Sequence, residues 1–221
     1  AYCNNFNRLS IANFGYIQFY FIKSFDYGAH MFAYKNKYFL LIENVKDIDL
    51  NNIKLTNKFI IIYRNKNKNF NINKLIKFRQ HCKAKKIGFY VSNNLKLMVS
   101  LSADGIYVSA HNKNLRISKL RYTNYKVIGS AHNSKELNLK VLQGCSCFIF
   151  SRLFQTRYTN KRGFMGIIKF NLFKLSRKEN LVPLGGIKLS NLNKLNLVKS
   201  NSFALLSEIK KKPANIINRL F

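Results

Sequence analysis

The chain has 221 residues, of which 47% are hydrophobic and 14% aromatic, so its composition predicts a folded domain and excludes an intrinsically disordered chain. Its 39 Lys and Arg side chains outnumber its 8 Asp and Glu, which gives a formal net charge of +31 and would suit a polyanion such as nucleic acid or a membrane surface. Because lysine, asparagine and isoleucine are spread along the whole chain without a zinc-finger or RNP signature, we interpret the charge as compositional drift, and we expect neither a specific nucleic-acid partner nor a membrane partner.

The cysteines and the apolar runs indicate the setting of the protein. Cys3, Cys82, Cys145 and Cys147 are too few and too scattered for a disulfide framework, and we expect Cys145 and Cys147 to pack in the core rather than to bind a metal. No run of 18 apolar residues is present, as a transmembrane helix would need. We therefore expect a cytoplasmic protein.

The two ends of the chain differ from its middle. The sequence begins with Ala1, and Met31 is an alternative start. We expect residues 1–35 to be an extension or a fragment, residues 36–212 to form one folded domain, and residues 213–221 to form a C-terminal tail.

Eight short runs of apolar, β-branched or aromatic residues recur from residue 37 onward. They are continuous rather than alternating in hydrophobicity, which is typical of parallel strands that are covered on both faces. The predicted strands are residues 37–44, 58–65, 87–93, 104–110, 125–132, 145–154, 181–187 and 201–208.

Stretches with helical spacing separate these runs. They are clearest at residues 71–86, 133–144 and 190–200, and weaker at 112–125. Eight strands that alternate with helices predict a parallel α/β fold. The even spacing favours a single (β/α)8 TIM-type barrel, with an open doubly wound sheet as the alternative. In such barrels the active site lies at the carboxyl ends of the strands, and the loops after strands seven and eight often hold a phosphate.

Several residues fall at these strand ends. Gly185 and Gly186 end the seventh run and predict either a phosphate-binding turn or a tight turn without a ligand. Arg64 and Lys66 alternate at the end of the second run, as phosphate ligands or as surface cations. His132 ends the fifth run, as a general acid or base or as a capping residue. We interpret Asp104, at the start of the fourth run, as structural.

In their order along the chain, six segments resemble motifs of the thiamine phosphate synthase and thiazole tautomerase family. The resemblance extends from about residue 60 to residue 209. The segments are IYRNK (62–66), SADGIYVS (102–109), IGSAHNSKE (128–136), GCSCFIFSRLFQTRYTNK (144–161), VPLGGIKLSNL (182–192) and SFALLSEI (202–209).

The resemblance implies a (β/α)8 barrel and a reaction in thiamine biosynthesis. The synthase joins a hydroxymethylpyrimidine pyrophosphate to a thiazole phosphate and releases pyrophosphate in the presence of Mg²⁺. By resemblance, the residues and their roles are Arg64, Lys66 and Lys161 for the pyrophosphate, Thr156, Gly185, Gly186 and Ser207 for the thiazole phosphate, His132 and Ser130 for catalysis, and Asn93 and Asn112 at the positions of the family's metal-binding aspartates.

Departures from the motifs leave alternatives open. Neutral Asn93 and Asn112 are poor substitutes for carboxylates as Mg²⁺ ligands, and bulkier Ser151 and Arg152 replace smaller residues before Phe154. One alternative is a thiazole tautomerase-like isomerase, which would need His132 and a phosphate site but no metal. Others are a catalytically silent barrel that binds phosphate ligands and, with least support, a basic nucleic-acid-binding protein. The sequence predicts no oligomeric state.

Overall fold

The computed structural model describes residues 37–54, 56–65, 70–156 and 163–211. Eight parallel strands form a closed barrel in the order of the chain. They are β1 (Lys37–Ile42), β2 (Phe59–Tyr63), β3 (Gly88–Ser92), β4 (Gly105–Val108), β5 (Lys126–Ala131), β6 (Cys147–Ser151), β7 (Leu181–Leu184) and β8 (Ser202–Leu205). All eight predicted runs contain a strand. Because β1 pairs with β8, from Lys37 with Ser202 to Leu40 with Leu205, the barrel prediction is confirmed over the open sheet.

Helical segments connect the strands. The α-helices are α1 (Ile72–Ala84), α2 (Leu95–Ser100), α3 (Ser134–Leu142), α4 (Gly166–Leu175) and α5 (Ser207–Lys211). The predicted helices at 71–86 and 133–144 are confirmed as α1 and α3. The stretch predicted as a helix at 190–200 is a 3-10 segment, Leu189–Leu197, and a second one, Leu115–Tyr122, occupies the weaker stretch.

The sequence patterns did not predict α2 or α4. Helix α2 has only six residues, too few for a periodic pattern to stand out. Helix α4 exposes Ile168 and Leu172 to solvent by 76% and 62%, so its apolar residues do not mark one buried stripe. Within the described ranges, no helix is both long and apolar enough to cross a bilayer.

The core has two parts, one inside the barrel and one between the strands and the surrounding helices. On β2, Ile62 packs inside the barrel, whereas Phe59 and Ile61 pack against the outer layer. Both sides of each strand are therefore buried, which explains the continuous apolar runs. The buried interior residues are Phe39, Leu41, Ile62, Tyr90, Tyr107, Ile128, Ile149, Val182 and Ala204.

The start of β4 is held by a structural ion pair. Asp104 accepts hydrogen bonds from Arg79 Nη2 at 2.9 Å and from the backbone N–H of Phe89 at 2.7 Å, and Arg79 is 8% exposed. A Cβ atom on Gly105 would lie 1.9 Å from the carbonyl oxygen of Lys126. The Ala-Asp-Gly segment thus serves the packing of β4 against β3 and β5, in agreement with the structural interpretation of Asp104.

The cysteines in the described ranges are unpaired thiols. Burial raises the pKa of both Cys145 and Cys147 to about 12, so both stay protonated near neutral pH. Cys145 precedes β6 and packs in the outer core, whereas Cys147 lies on β6 and packs against the barrel interior. Both are core residues. Cys3 lies outside the described residues, as do the extension and the tail predicted at 1–35 and 213–221.

An open cleft of about 840 Å³ lies at the amino ends of the strands. Lys37, Gly88, Asp104 and Lys126, at or beside the starts of four strands, contribute to its lining. In this fold the amino-terminal face serves stability and the carboxyl-terminal face carries the chemistry. This cleft is therefore distinct from the candidate site described next.

Candidate functional site

The candidate site is the mouth of the barrel at the carboxyl ends of the strands. Alternation along the strands places Arg64 after β2, Ser130 on β5 and Ser151 on β6 on the inner side. Beneath the mouth, Tyr107 is buried at 2% exposure. Burial raises the pKa of Tyr107, and a hydrogen bond with Ser130 and the charge of Arg64 offset part of that rise. Tyr107 is thus hydrogen-bonded to Ser130 and lies within reach of the charge of Arg64 at the base of the mouth.

Arg64 belongs to the rim next to β1 and β2. Its backbone N–H donates to the carbonyl of Ile42 at 2.7 Å, which continues the β1–β2 pairing by one residue and fixes where the side chain begins. The side chain is half-buried. The two other predicted pyrophosphate ligands, Lys66 and Lys161, lie outside the described residues, so their roles stay predictions.

His132 is held at the joint between β5 and α3. Its backbone N–H donates to Glu136 Oε2 at 2.7 Å, and the backbone N–H of Glu136 donates to Asn133 Oδ1 at 2.9 Å. This reciprocal cap satisfies the first turn of α3 and fixes the course of the chain. The ring Nδ1 lies 2.7 Å from Ser151 Oγ. Asn133 is thus the N-cap of α3, and His132 directly precedes it with its ring facing the mouth.

Ser151 is a site residue that the sequence motifs did not single out. They gave it only as a substitution, and its bond to His132 joins the ends of β5 and β6. The signal in the sequence that could have identified Ser151 is a polar residue that replaces a smaller one at the last position of a strand. Ser130, on β5 and two residues before His132, faces the same side.

Gly185 and Gly186 form a tight turn that packs on the segment after β6. Their φ angles are +101° and +69°, in the region that glycine adopts without strain. The backbone N–H of Phe154 donates to the carbonyl of Gly185 at 3.0 Å. A Cβ atom on Gly186 would lie 2.5 Å from the carbonyl oxygens of Phe154 and Gln155. Both glycines are thus required by the packing of this turn.

Arg152 links this turn to Thr156. Its guanidinium Nη1 donates to Thr156 Oγ1 at 2.8 Å, and its Cβ and Cγ lie 3.0–3.1 Å from the position that a Cβ on Gly185 would occupy. Three of the four residues predicted to bind the thiazole phosphate therefore meet in one place. The fourth, Ser207, is exposed at the start of α5, and within the described part of the chain it makes no hydrogen bond to the others.

The two asparagines at the family's aspartate positions bind each other. Asn112 Nδ2 donates to Asn93 Oδ1 at 3.1 Å, and Asn93 Nδ2 donates to Ser109 Oγ at 2.9 Å. Among the described residues, no three His, Cys, Asp or Glu side chains come together as a ligand set. Mg²⁺ prefers carboxylate and water oxygens in an octahedron. The described residues therefore do not fit the metal site that the resemblance implies.

A buried lysine lies behind Asn112. Lys140, on α3, is fully buried, and its Nζ donates to the carbonyl of Asn112 at 2.6 Å and to Gln143 Oε1 at 2.8 Å. Burial lowers the pKa of the Lys140 ammonium. Gln143 Nε2 also donates to the carbonyl of Asn112, at 3.0 Å. The Lys140 side chain thus holds the loop after β4 in place, and no sequence motif had singled out this lysine.

Comparison with known proteins identifies the family. The family model described as thiamine monophosphate synthase matches residues 51–209. A thiamine-phosphate synthase of Pelagibacter ubique (strain HTCC1062) is 30% identical over 162 residues, which cover 69% of this chain and 78% of that protein. One of Prochlorococcus marinus (strain AS9601) is 26% identical over 137 residues, which cover 61% of this chain but 38% of that protein.

A solved structure supports the same conclusion for the fold. The thiamine phosphate pyrophosphorylase from Pyrococcus furiosus superposes with a TM-score of 0.66 at 16% identity, over 85% of this chain and 94% of that chain. The family match covers most of the barrel, from before β2 to the middle of α5. The chain belongs to the thiamine monophosphate synthase family.

Proposed function

We propose that the chain is a thiamine phosphate synthase-like transferase that joins a hydroxymethylpyrimidine pyrophosphate to a thiazole phosphate in thiamine biosynthesis. The observation that carries the proposal is the arrangement of the mouth. Arg64 lies at the end of β2, and the turn formed by Arg152, Thr156, Gly185 and Gly186 lies at the ends of β6 and β7. In a closed barrel of eight strands in sequential order, β2 and β6 face each other. This separation supports two sites in the mouth, one for each phosphorylated substrate.

The reaction transfers the pyrimidinylmethyl group from a pyrophosphate oxygen to the thiazole nitrogen. The bond between the pyrimidine methylene carbon and the pyrophosphate oxygen breaks, and the electron pair leaves with the pyrophosphate. The thiazole nitrogen donates its lone pair to the same carbon and becomes the thiazolium nitrogen. No proton has to move at these atoms, so the main requirement is to stabilise the charge of the departing pyrophosphate.

Cationic side chains meet that requirement in this proposal. Arg64 would bind the pyrophosphate through its planar guanidinium, and we include Lys66 and Lys161 in the same role by resemblance. Because Asn93 and Asn112 bind each other through their amides, we assign no protein-bound Mg²⁺ to this side of the mouth. We assign His132 and Ser130 to holding the reacting rings in place.

The tautomerase-like alternative rests on the contact between His132 and Ser151. A hydrogen bond of 2.7 Å at Nδ1 orients the imidazole and leaves Nε2 for proton transfer at a bound thiazole. A silent binder would keep the turn at Gly185 and Gly186 as a phosphate site and would lose the chemistry. We place the protein in the cytoplasm, a setting compatible with the unpaired thiols of Cys145 and Cys147.

The proposal is tested by incubating the protein with both substrates, with and without Mg²⁺, and measuring thiamine phosphate. An Arg64→Gln variant removes the pyrophosphate ligand, and Arg116→Gln, which removes the same charge from an exposed position outside the strands, is the matched control. We expect product from the wild type and the control, and at least a tenfold loss with Arg64→Gln.

Other outcomes separate the alternatives. Turnover of the thiazole phosphate alone that is lost in His132→Gln would favour the tautomerase. Saturable binding of the thiazole phosphate without any turnover would favour the silent binder and refute the synthase.

A further inference from the structure

Arg152 lies against the turn at Gly185 and Gly186, and the motifs of the family give it no role. It follows β6 directly, and the segment it begins is tied on both sides. The backbone N–H of Leu153 donates to the carbonyl of Leu184 at 2.9 Å, and the backbone N–H of Met165 donates to the carbonyl of Arg152 at 2.9 Å. The base of the Arg152 side chain is therefore fixed between β7 and the start of α4.

The side chain packs along the glycine turn. Its Cα, Cβ and Cγ lie 3.0–3.3 Å from the position of a Cβ on Gly185, so the absence of a side chain at Gly185 makes room for it. Its Nη1 then reaches Thr156 Oγ1 at 2.8 Å. The guanidinium is thereby placed beside the residues that were predicted to bind a phosphate.

We infer that Arg152 is a phosphate-binding residue of this chain and sets its preference for a phosphorylated thiazole over the free alcohol. The inference rests on the proposed function, because the thiazole phosphate is the substrate assigned to this side of the mouth. The residue acts on substrate binding and takes no part in the bond-breaking step.

The hydrogen-bonding capacity of the pair supports this inference. A guanidinium carries five N–H donors and no acceptor, and within the described ranges Arg152 directs one of them to a side chain, Thr156. Because the Thr156 oxygen accepts that bond, its own O–H is available to donate. A phosphate monoester offers acceptors only, and arginine binds it through two parallel N–H groups. The arrangement presents donors and one fixed positive charge to such a group.

The position of Arg152 also fixes which substrate it meets. It follows β6, whereas Arg64 follows β2, and these strands lie on opposite sides of the closed barrel. Loss of the Arg152 side chain should therefore weaken binding of the thiazole phosphate and leave binding of the pyrimidine pyrophosphate unchanged.

The test is a calorimetric titration with hydroxyethylthiazole phosphate and, separately, with the unphosphorylated hydroxyethylthiazole. The proteins are the wild type, Arg152→Gln, Arg152→Lys and the control Arg116→Gln. We expect Arg152→Gln to bind the phosphate ester 10- to 100-fold more weakly, as befits loss of a charged hydrogen-bond donor, with no change for the alcohol. Arg152→Lys should recover part of the affinity, because it keeps the charge and the length of the stem without the fork.

Some results would overturn the inference. One is an equal affinity of Arg152→Gln and the wild type for the phosphate ester. Another is an equal loss for the ester and the alcohol, which would mark a general collapse of the turn. A third is a wild type that does not bind the ester at all. Should Arg152→Gln fail to fold, the comparison of Arg152→Lys with the wild type decides, and an unchanged ratio of ester to alcohol affinity in that variant refutes the role of the fork.

The inference and the proposed function fail separately. Ester binding that depends on Arg152, in a protein that forms no thiamine phosphate, would leave the inference in place and reject the synthase. If the Arg152→Gln variant forms thiamine phosphate with an unchanged KM for the thiazole phosphate, the synthase stands and the inference about Arg152 is rejected.

Discussion

Replacement of Gly186 by alanine tests whether the turn after β7 is rigid. The residue has φ +69°, and a left-handed conformation costs a residue with a Cβ about 1–2 kcal/mol. The new Cβ would also lie 2.5 Å from the carbonyl oxygens of Phe154 and Gln155, where ordinary contacts begin near 3.4 Å. The two segments must therefore separate by about 1 Å, given the close packing of protein interiors.

That separation acts on two hydrogen bonds of the turn. One runs from the backbone N–H of Phe154 to the carbonyl of Gly185 at 3.0 Å, and the other from Asn191 Nδ2 to the carbonyl of Gly186 at 2.8 Å. Each contributes about 1 kcal/mol. With the backbone strain, we expect Gly186→Ala to lower the free energy of unfolding by about 3–4 kcal/mol.

Gly166 provides a matched control. It has the same φ of +69°, but the nearest atom to its added Cβ is Phe164 Cε2, at 3.9 Å. We expect Gly166→Ala to cost only the strain of about 1–2 kcal/mol. Urea denaturation measures both values, and the melting temperature should fall by about 2–4 °C per kcal/mol. Equal losses in the two variants would refute the rigid turn, since they would mean that the neighbouring carbonyls move aside freely.

Three further predictions concern the neighbours of the site. Lys140→Met should cost about 2 kcal/mol at pH 7 through two lost hydrogen bonds. Because burial lowers the pKa of Lys140, the unfolded chain binds more protons at this residue than the folded chain does. The stability of the wild type relative to this variant should therefore rise from pH 7 toward pH 10. Urea denaturation of both proteins at both pH values measures this difference, and a difference that does not change with pH would contradict the prediction. The double variant Asn93→Asp with Asn112→Asp should have a melting temperature that rises when Mg²⁺ is added. Neither single variant nor the wild type should show this rise, and a thermal-shift assay with Mg²⁺ or with EDTA measures it. Arg79→Met should lower the free energy of unfolding, measured in urea, by about 2 kcal/mol. This is less than the loss of a fully buried pair, because the Asp104 side chain is 41% exposed. A loss below about 0.5 kcal/mol would show that the pair is only a surface contact.

Local patterns were sufficient for the elements with one clear signal. The run around Ile60–Tyr63 is apolar on both sides because one side packs inside the barrel and the other against helices, so the strand was predicted from composition. Helix α3 was predicted because Asn133 caps it and Gly144 follows it. The stretch after Lys188 has similar spacing but folds as a 3-10 segment, since packing rather than periodicity decides between two such close geometries.

The sequence by itself determined the eight strand runs, their alternation with helical stretches and the family motifs, because each depends on residues that are close together along the chain or recur at fixed spacing. Only the tertiary structure decided which distant residues meet. Ser151 meets His132, Arg152 meets Thr156 beside the Gly185 turn, and the buried Lys140 holds the carbonyl of Asn112. Apart from Arg152 and Thr156, these partners are 19 to 28 residues apart. They come into contact because the parallel pairing of neighbouring strands brings separate parts of the chain side by side, and no local pattern encodes which residues then meet.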